Sequence, residues 1–302
     1  MEKQPVSTTT AIQKKPVELL KAALYAPSVQ EQFKNALKEH KDTFVASVID
    51  LYNGDKQLQA CNTNAVICEA LKAAVLKLPI NKALGFSYIV VFNNSVKDEA
   101  TGQWKKVPTP TFVPGYKGYI QLAMRTGQYR TINADFVFEG ELRKVNKLSG
   151  EIAFDGEKVS DKIVGYFCYF ELLNGFSKTL YVSVEDMAKY ALRYSPSFKG
   201  KNKPAVEELI TLAQSNAEST KVGWEGNFND MALKTVIRRL LSKYGYLSVE
   251  MQNVMAADNE GADYASRNDL ISENANKTEI VEDVEYHQVD STAPVAESAP
   301  EY

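Results

Sequence analysis

Lys117, Gln121 and Arg125 recur at intervals of four residues, and Arg130 follows shortly after. In a helix of 3.6 residues per turn, groups four apart share one face. Two cations flanking an amide on that face form a surface suited to phosphate. Gly115 and Gly118 bracket Tyr116 and Lys117 at the start of the same stretch. Without Cβ atoms they let backbone N–H groups approach a ligand closely. A helix N-terminus also offers unpaired N–H groups and the positive end of its dipole. Gly127 is placed to stop the helix, while Tyr116, Ile120, Ala123 and Met124 point elsewhere and can enter a core. An ordinary capped amphipathic helix with surface cations would give the same pattern.

A second segment favours the anion reading. "MALKTVIRRLLSKYG" (231–245) separates at about 100° per residue. Leu233, Val236, Ile237, Leu240, Leu241 and Tyr244 fall on one side, and Lys234, Arg238, Arg239 and Lys243 on the other. A solvated face usually mixes both signs, whereas a face of cations alone suits a phosphate backbone. Between these segments, "RYSPSFKGKNK" (193–203) adds Arg193, Lys199 and further lysines among aromatics. That mixture suits single-stranded nucleic acid, whose bases can stack.

Other chemistries find little material. There is no G-x-x-x-x-G-K-[ST] loop, and no G-x-G-x-x-G follows a strand. Only two histidines occur, His40 and His287, and the cysteines (Cys61, Cys68, Cys168) lack metal-ligand spacing. Glu139 with Glu141 and Glu185 with Asp186 are carboxylate pairs of the kind that usually cap helices or decorate surfaces. No catalytic residue and no metal ligand is assigned, no cofactor is required, and a part for Mg²⁺ stays open. The net charge of −3 conceals a division. Residues 250–302 hold 13 acidic groups against Arg267 and Lys277, a balance of −11, which leaves +8 in residues 1–249. A basic body suggests a polyanionic partner. No apolar run reaches the roughly 18 residues of a membrane span, and "MEKQPVSTTTAIQKKP" lacks the apolar centre of a secretory signal. A cytoplasmic protein with no membrane partner is expected.

The elements that must position these residues follow from periodicity. Residues 1–15 are polar and expected to be disordered. Helices follow to about residue 78, with Pro16 at a helix start, Asp42 as an N-cap, an Asn cap in "NTNAVICEALKAAVLKL" and Pro79 as a stop. "FSYIVVF" (86–92) and "KVPTPTFV" (106–113) predict a hairpin. "YRTINADFVFEGEL" (129–142) alternates as a strand, and Asn174-Gly175 joins two more. Ser183 and Asp186 cap a helix through Tyr194, and helices are expected near 204–216 and 228–244. Beyond 250 the chain is acidic and aperiodic. The order predicts an α+β fold: N-terminal helices, a small central antiparallel sheet with hairpins, and flanking helices forming a basic groove. Residues 16–250 would be the core and 251–302 a flexible acidic tail.

"GYKGYIQLAMRTGQY" resembles the signature of the RecT family of phage recombinases, within the RecT/Bet group of single-strand annealing proteins. The likeness extends through "CNTNAVICEALKAAVLKLPINKALGFSYIVVF", Trp224 and "MALKTVIRRLLSKYG", covering about residues 16–250. It implies ATP-independent annealing of complementary single strands and rings or helical filaments on single-stranded DNA and the annealed duplex. It also implies a 5′–3′ exonuclease partner, a host single-strand-binding protein as a further one, and a phage or prophage origin in a bacterial host. Its motifs fall on Gly115, Tyr116, Lys117, Gly118, Arg125, Gly127, Lys234, Arg238 and Arg239. Three rivals stand beside it. A Mg²⁺-dependent nuclease would degrade DNA. An RNA-binding module, suggested by the weak Gly115-x-x-Gly118 clamp, would prefer RNA. A structural phage protein would bind no DNA at moderate salt. Removing the residues beyond about 255 is expected to leave folding and annealing intact and to tighten DNA binding. Thermal melting and single-strand titration of the truncated chain check this.

Overall fold

The computed structural model describes residues 15–97, 102–146, 148, 150–198, 203–215 and 223–255. Of the segments expected to be disordered or flexible, 1–15 and 251–302, residues 1–14 and 256–302 lie outside the described residues. The chain opens with helices α1 (Pro16–Leu24), α2 (Pro27–Leu37), α3 (Lys41–Gly54), α4 (Lys56–Gln59) and α5 (Thr63–Val75). Proline heads the first two, where a missing N–H costs nothing. Helix α3 begins one residue before the expected Asp42 cap, so Asp42 lies inside its first turn. The capping carboxylate is instead Asp55, which accepts from the Gln57 and Leu58 amides to start α4. Asn62 caps α5 as expected, accepting from the Asn64 and Ala65 amides. Helix α5 ends before Pro79 is reached, because Lys77 turns into the left-handed region at φ +52°. Leu20, Leu24, Phe33, Val48, Tyr52, Ile67 and Ala70 form the apolar cluster of this region, together with Ile80 and Ile89.

Strands β1 (Ser87–Lys97) and β2 (Trp104–Pro114) pair antiparallel from Ser87↔Pro114 to Lys97↔Trp104. The hairpin therefore runs past its apolar runs into polar sequence, and its outer end is exposed, with Trp104 72% accessible. Helix α6 (Tyr116–Arg125) follows at once. Its two early glycines are explained by packing. The Gly115 amide donates to Phe86 O at 2.9 Å. A Cβ on Gly115 would stand 2.2 Å from Gly85 O, and one on Gly118 2.2 Å from Phe86 O. The chain at 85–86 thus occupies the space that the sequence reading reserved for a ligand. Gly127 behaves as expected: it ends the helix at φ +67° with open space around it.

Strand β3 (Tyr129–Phe138) begins the principal sheet and stops short of the expected residue 142. The two-residue strands β4 (Lys144–Val145) and β5 (Ile152–Ala153) form a separate small arm. Strands β6 (Ile163–Leu172) and β7 (Ser177–Ser183) complete an antiparallel sheet in the order β3-β6-β7. Register places Ile132, Ala134 and Phe136 beside Phe170, Cys168 and Tyr166. These residues share one face of the sheet and join the main core. On the other face Phe154 from the small arm meets Phe167, ring centroids 4.9 Å apart.

Ser183 caps α7 (Val184–Tyr194) through the Asp186 amide. Helices α8 (Val206–Gln214) and α9 (Phe228–Tyr244) follow. Helix α9 packs against the sheet, α6 and α8, and this corrects the clean separation expected of it. Leu233, Val236, Ile237, Leu240 and Leu241 are buried, but so is Lys234, at 7% exposure, while Tyr244 is exposed. A helix with neighbours on several sides buries more than one stripe. Residues 249–255 are helical, and Met251, Val254 and Met255 enter the main core, so the expected tail boundary at 251 moves to beyond 255. Gly118→Ala should lower unfolding free energy by about 2 kcal/mol or more, because the new methyl meets backbone. Gly127→Ala should cost only about 1 kcal/mol of left-handed strain. Urea denaturation midpoints of the two variants check the order.

Candidate nucleic-acid interface

The predicted row on α6 has three different environments. Lys117 is exposed, with Nζ 5.9 Å from the Tyr116 ring centroid. The Gln121 Oε1 atom is buried without a hydrogen-bond partner. Arg125 reaches back to α5, donating to Leu76 O at 2.6 Å and Lys77 O at 2.9 Å. Those carbonyls belong to a helix end that leaves its last C=O groups without intrahelical partners, and the cation also meets the negative end of the dipole. Arg125 therefore joins two helices, and burial lowers its guanidinium pKa.

Lys117 belongs to a polar cluster with the half-buried Tyr88 at the hairpin base, the half-buried Tyr116 on α6 and Asp230 in the first turn of α9. Burial raises the Asp230 carboxyl above its ordinary range, and the charge of Lys117 opposes that rise. Burial likewise raises the Tyr88 and Tyr116 phenols, and the Asp230 charge pushes both further up. A carboxylate beside the first turn of α6 competes with any phosphate brought there, so this end of the helix is less electropositive than the sequence suggests.

The cations of α9 also divide. Lys234 is buried and Arg238 half-buried, and both interact within the chain. Arg239 and Lys243, one turn apart, are exposed. The Arg239 guanidinium lies 5.8 Å from the Tyr190 ring centroid. Tyr190 and Tyr194 of α7 stand 4.5 Å apart at 42°. Arg193 lies 5.4 Å from the Tyr194 ring, and Tyr194 is 46% exposed. At the far end of α9, Lys243 and Lys178 of β7 approach the exposed Tyr244 ring at 5.1 and 5.6 Å. The result is a surface of α7, α9 and β7 where cations alternate with aromatic rings. Arg130 lies elsewhere, on β3, paired with Glu171 at 2.8 Å. Lys199 is outside the described residues.

Helical periodicity singles out Arg239 and Lys243, and the basic, aromatic stretch 193–203 singles out Arg193; Tyr190, Tyr194 and Lys178 are not singled out. Tyr190 and Tyr194 are four apart in "YALRY" beside Arg193, a pattern that marks a shared helix face. Lys178 gave no comparable signal, because only sheet pairing brings β7 to the end of α9. The carboxylate pairs have structural partners: Glu139 accepts from Ser160, Glu141 from the Phe138 amide, Glu185 from Lys189, and Asp186 from Ser183. Among the described residues no three His, Cys, Asp or Glu side chains group as metal ligands, and no helix is long and apolar enough to cross a membrane.

An α+β body with small antiparallel sheets and a cation–aromatic surface has the features of a protein that holds a flexible polyanion. The chain belongs to the RecT family, whose family model matches residues 42–278. It is similar to "Uncharacterized protein YqaK" of Bacillus subtilis (strain 168), with 37% identity over 279 residues, 92% of this chain and 84% of that protein. It is also similar to "Protein RecT" of Escherichia coli (strain K12), with 26% identity over 241 residues and 77% of each chain covered. Family membership gives this protein a general role in DNA recombination and strand annealing, and with it DNA binding.

Arg125→Ala should lower stability by about 1–2 kcal/mol through lost charge-assisted hydrogen bonds. Arg239→Ala and Lys243→Ala should stay within about 0.5 kcal/mol of wild type and weaken single-strand binding across all sequences. Thermal melts beside binding titrations separate these classes. Asp230 yields a pH test. Its folded pKa lies above the unfolded value, so the folded chain retains the proton more tightly. Stability then falls as pH rises from 3.8 through the raised value. Asp230→Asn should be more stable than wild type near neutral pH, with the gap shrinking as pH falls towards 3.8. Urea midpoints at both ends of that range check it.

Proposed function

We propose that this protein binds single-stranded DNA without sequence preference and anneals complementary strands without ATP. The observation that carries the reading is the set of exposed cations Arg193, Arg239 and Lys243, with the half-buried Lys178, among tyrosines, in a chain of the RecT family. Arg239, Lys243 and Lys178 hold phosphates, with Lys117 as a further contact. Gly115, Tyr116, Gly118, Gln121, Arg125, Lys234 and Arg238 then act by shaping and supporting this surface. Contacts of this kind leave base edges free for a second strand, and base pairing supplies all the specificity. Stacking releases about 1.4 kcal/mol per base-pair step, enough to drive annealing without a nucleotide cofactor.

Copies of the chain line up along the strand as a ring or helical filament, raising the local concentration of complementary sequence. The substrate is the single-stranded end left by a 5′–3′ exonuclease, in competition with the host's single-strand-binding protein, in the cytoplasm of a bacterium carrying the phage or prophage. No metal is required. The test mixes two complementary oligonucleotides with the purified protein, without ATP or Mg²⁺. Duplex should form well above the spontaneous rate. Affinity for one strand should fall with salt at a log–log slope of about −0.7 per neutralised phosphate. A flat salt dependence contradicts the phosphate grip, degradation on adding Mg²⁺ supports a nuclease, and a clear preference for RNA supports an RNA-binding module.

A further inference from the structure

Tyr194 is the outermost member of a continuous aromatic stack. Its ring lies 4.5 Å from Tyr190, which is 6.2 Å from Trp224, which is 5.2 Å from Phe228. Trp224 and Phe228 are buried, at 6% and 2% exposure, whereas Tyr194 is 46% exposed. The inner rings fix the position of the outer one, so Tyr194 does not lose much freedom on meeting a ligand. Arg193 and Arg239 lie near the two outer rings, at 5.4 and 5.8 Å. The exposed Tyr194 ring thus has Arg193 beside it and Tyr190 behind it, with Arg239 against Tyr190. It also places a flat π-face within reach of any strand that those arginines hold.

We infer that Tyr194, backed by Tyr190, is a stacking site for one unpaired base of the bound strand. Stacking fits the proposed annealing activity, on which this inference rests. A base held by its face keeps its hydrogen-bonding edge open to a complementary strand. Every base has a π-face, so the contact carries no sequence preference. Arg193 and Arg239 serve two ends here, drawing in the phosphates and ordering the rings.

The test compares an oligothymidylate with a strand of equal length whose nucleotides are replaced by abasic tetrahydrofuran units, and so has the same phosphates. Wild-type protein should bind the base-bearing strand about tenfold more tightly, the scale of one stacked base. Tyr194→Leu should remove most of that preference, leave the abasic affinity and the salt slope unchanged, and keep the melting temperature. Tyr194→Phe should restore the preference. A 2-aminopurine in the strand should be quenched on binding wild type and less so on binding Tyr194→Leu. Equal affinity of wild type for both strands overturns stacking while leaving the phosphate grip in place. Equal loss on both strands in Tyr194→Leu overturns it too, since that marks a general disturbance of the surface. A wild-type protein that binds neither strand overturns the proposed function itself.

Discussion

The structure depends on one close contact: the chain between Leu76 and Phe86 grips helix α6 at both ends. At the start of the helix, the backbone at Gly85 and Phe86 lies so near that only glycine fits at positions 115 and 118. At its end, Arg125 donates to the Leu76 and Lys77 carbonyls just past α5. Leu76 and Leu78 enter the main core, and Ile80 and Ile89 the N-terminal cluster. The same short segment thus joins two hydrophobic cores and fixes where the hairpin leaves the body. Helix α6 packs in turn on α9, so the grip on α6 sets the base on which the exposed cations stand.

This arrangement sorts the cations by what surrounds them. A guanidinium that commits two of its five N–H donors to carbonyls is tied to the fold, and Arg125 is of this kind. A lysine at 7% exposure, as Lys234 is, is already desolvated within the fold. Arg239 and Lys243 have water on one side and aromatic rings on the other, which holds them without neutralising them. Rings are good partners for such cations because a cation–π contact leaves the charge unbalanced and visible at a distance. Solvent-facing charge therefore gathers where α7 and α9 come together, while Arg125 is engaged at the end of α5 and Lys234 is enclosed by the packing of α9.

Much of the fold was legible in the sequence because its signals are local. The Asn62 and Ser183 caps and the Asn174-Gly175 turn depend on neighbours a few residues away, and each stands in the structure as expected; β3 forms where its alternation predicts but ends at Phe138. What failed depended on distant chain. The glycines of 115–118 gave a correct helix start, but the reason for them is Phe86, which no periodicity connects to Gly118. The 231–245 wheel placed its five aliphatic residues correctly but misjudged Tyr244, which is exposed, and Lys234, which is buried, since a wheel cannot tell one packed side from two. At the candidate site, the exposed arginines were found from charge, whereas Tyr190 and Tyr194 needed the contact between α7 and α9 to become visible as a platform.

The claim that organises this account is that DNA lies on the surface of α7 and α9. Photo-crosslinking locates the strand directly: a single strand carrying 4-thiothymidine is bound, irradiated, and the attached peptides identified by mass spectrometry. The account predicts that the crosslinks concentrate in peptides from 184–198 and 228–244, with the strongest at Tyr194. Crosslinks confined to α1 through α5, with α7 and α9 unmarked, would contradict it.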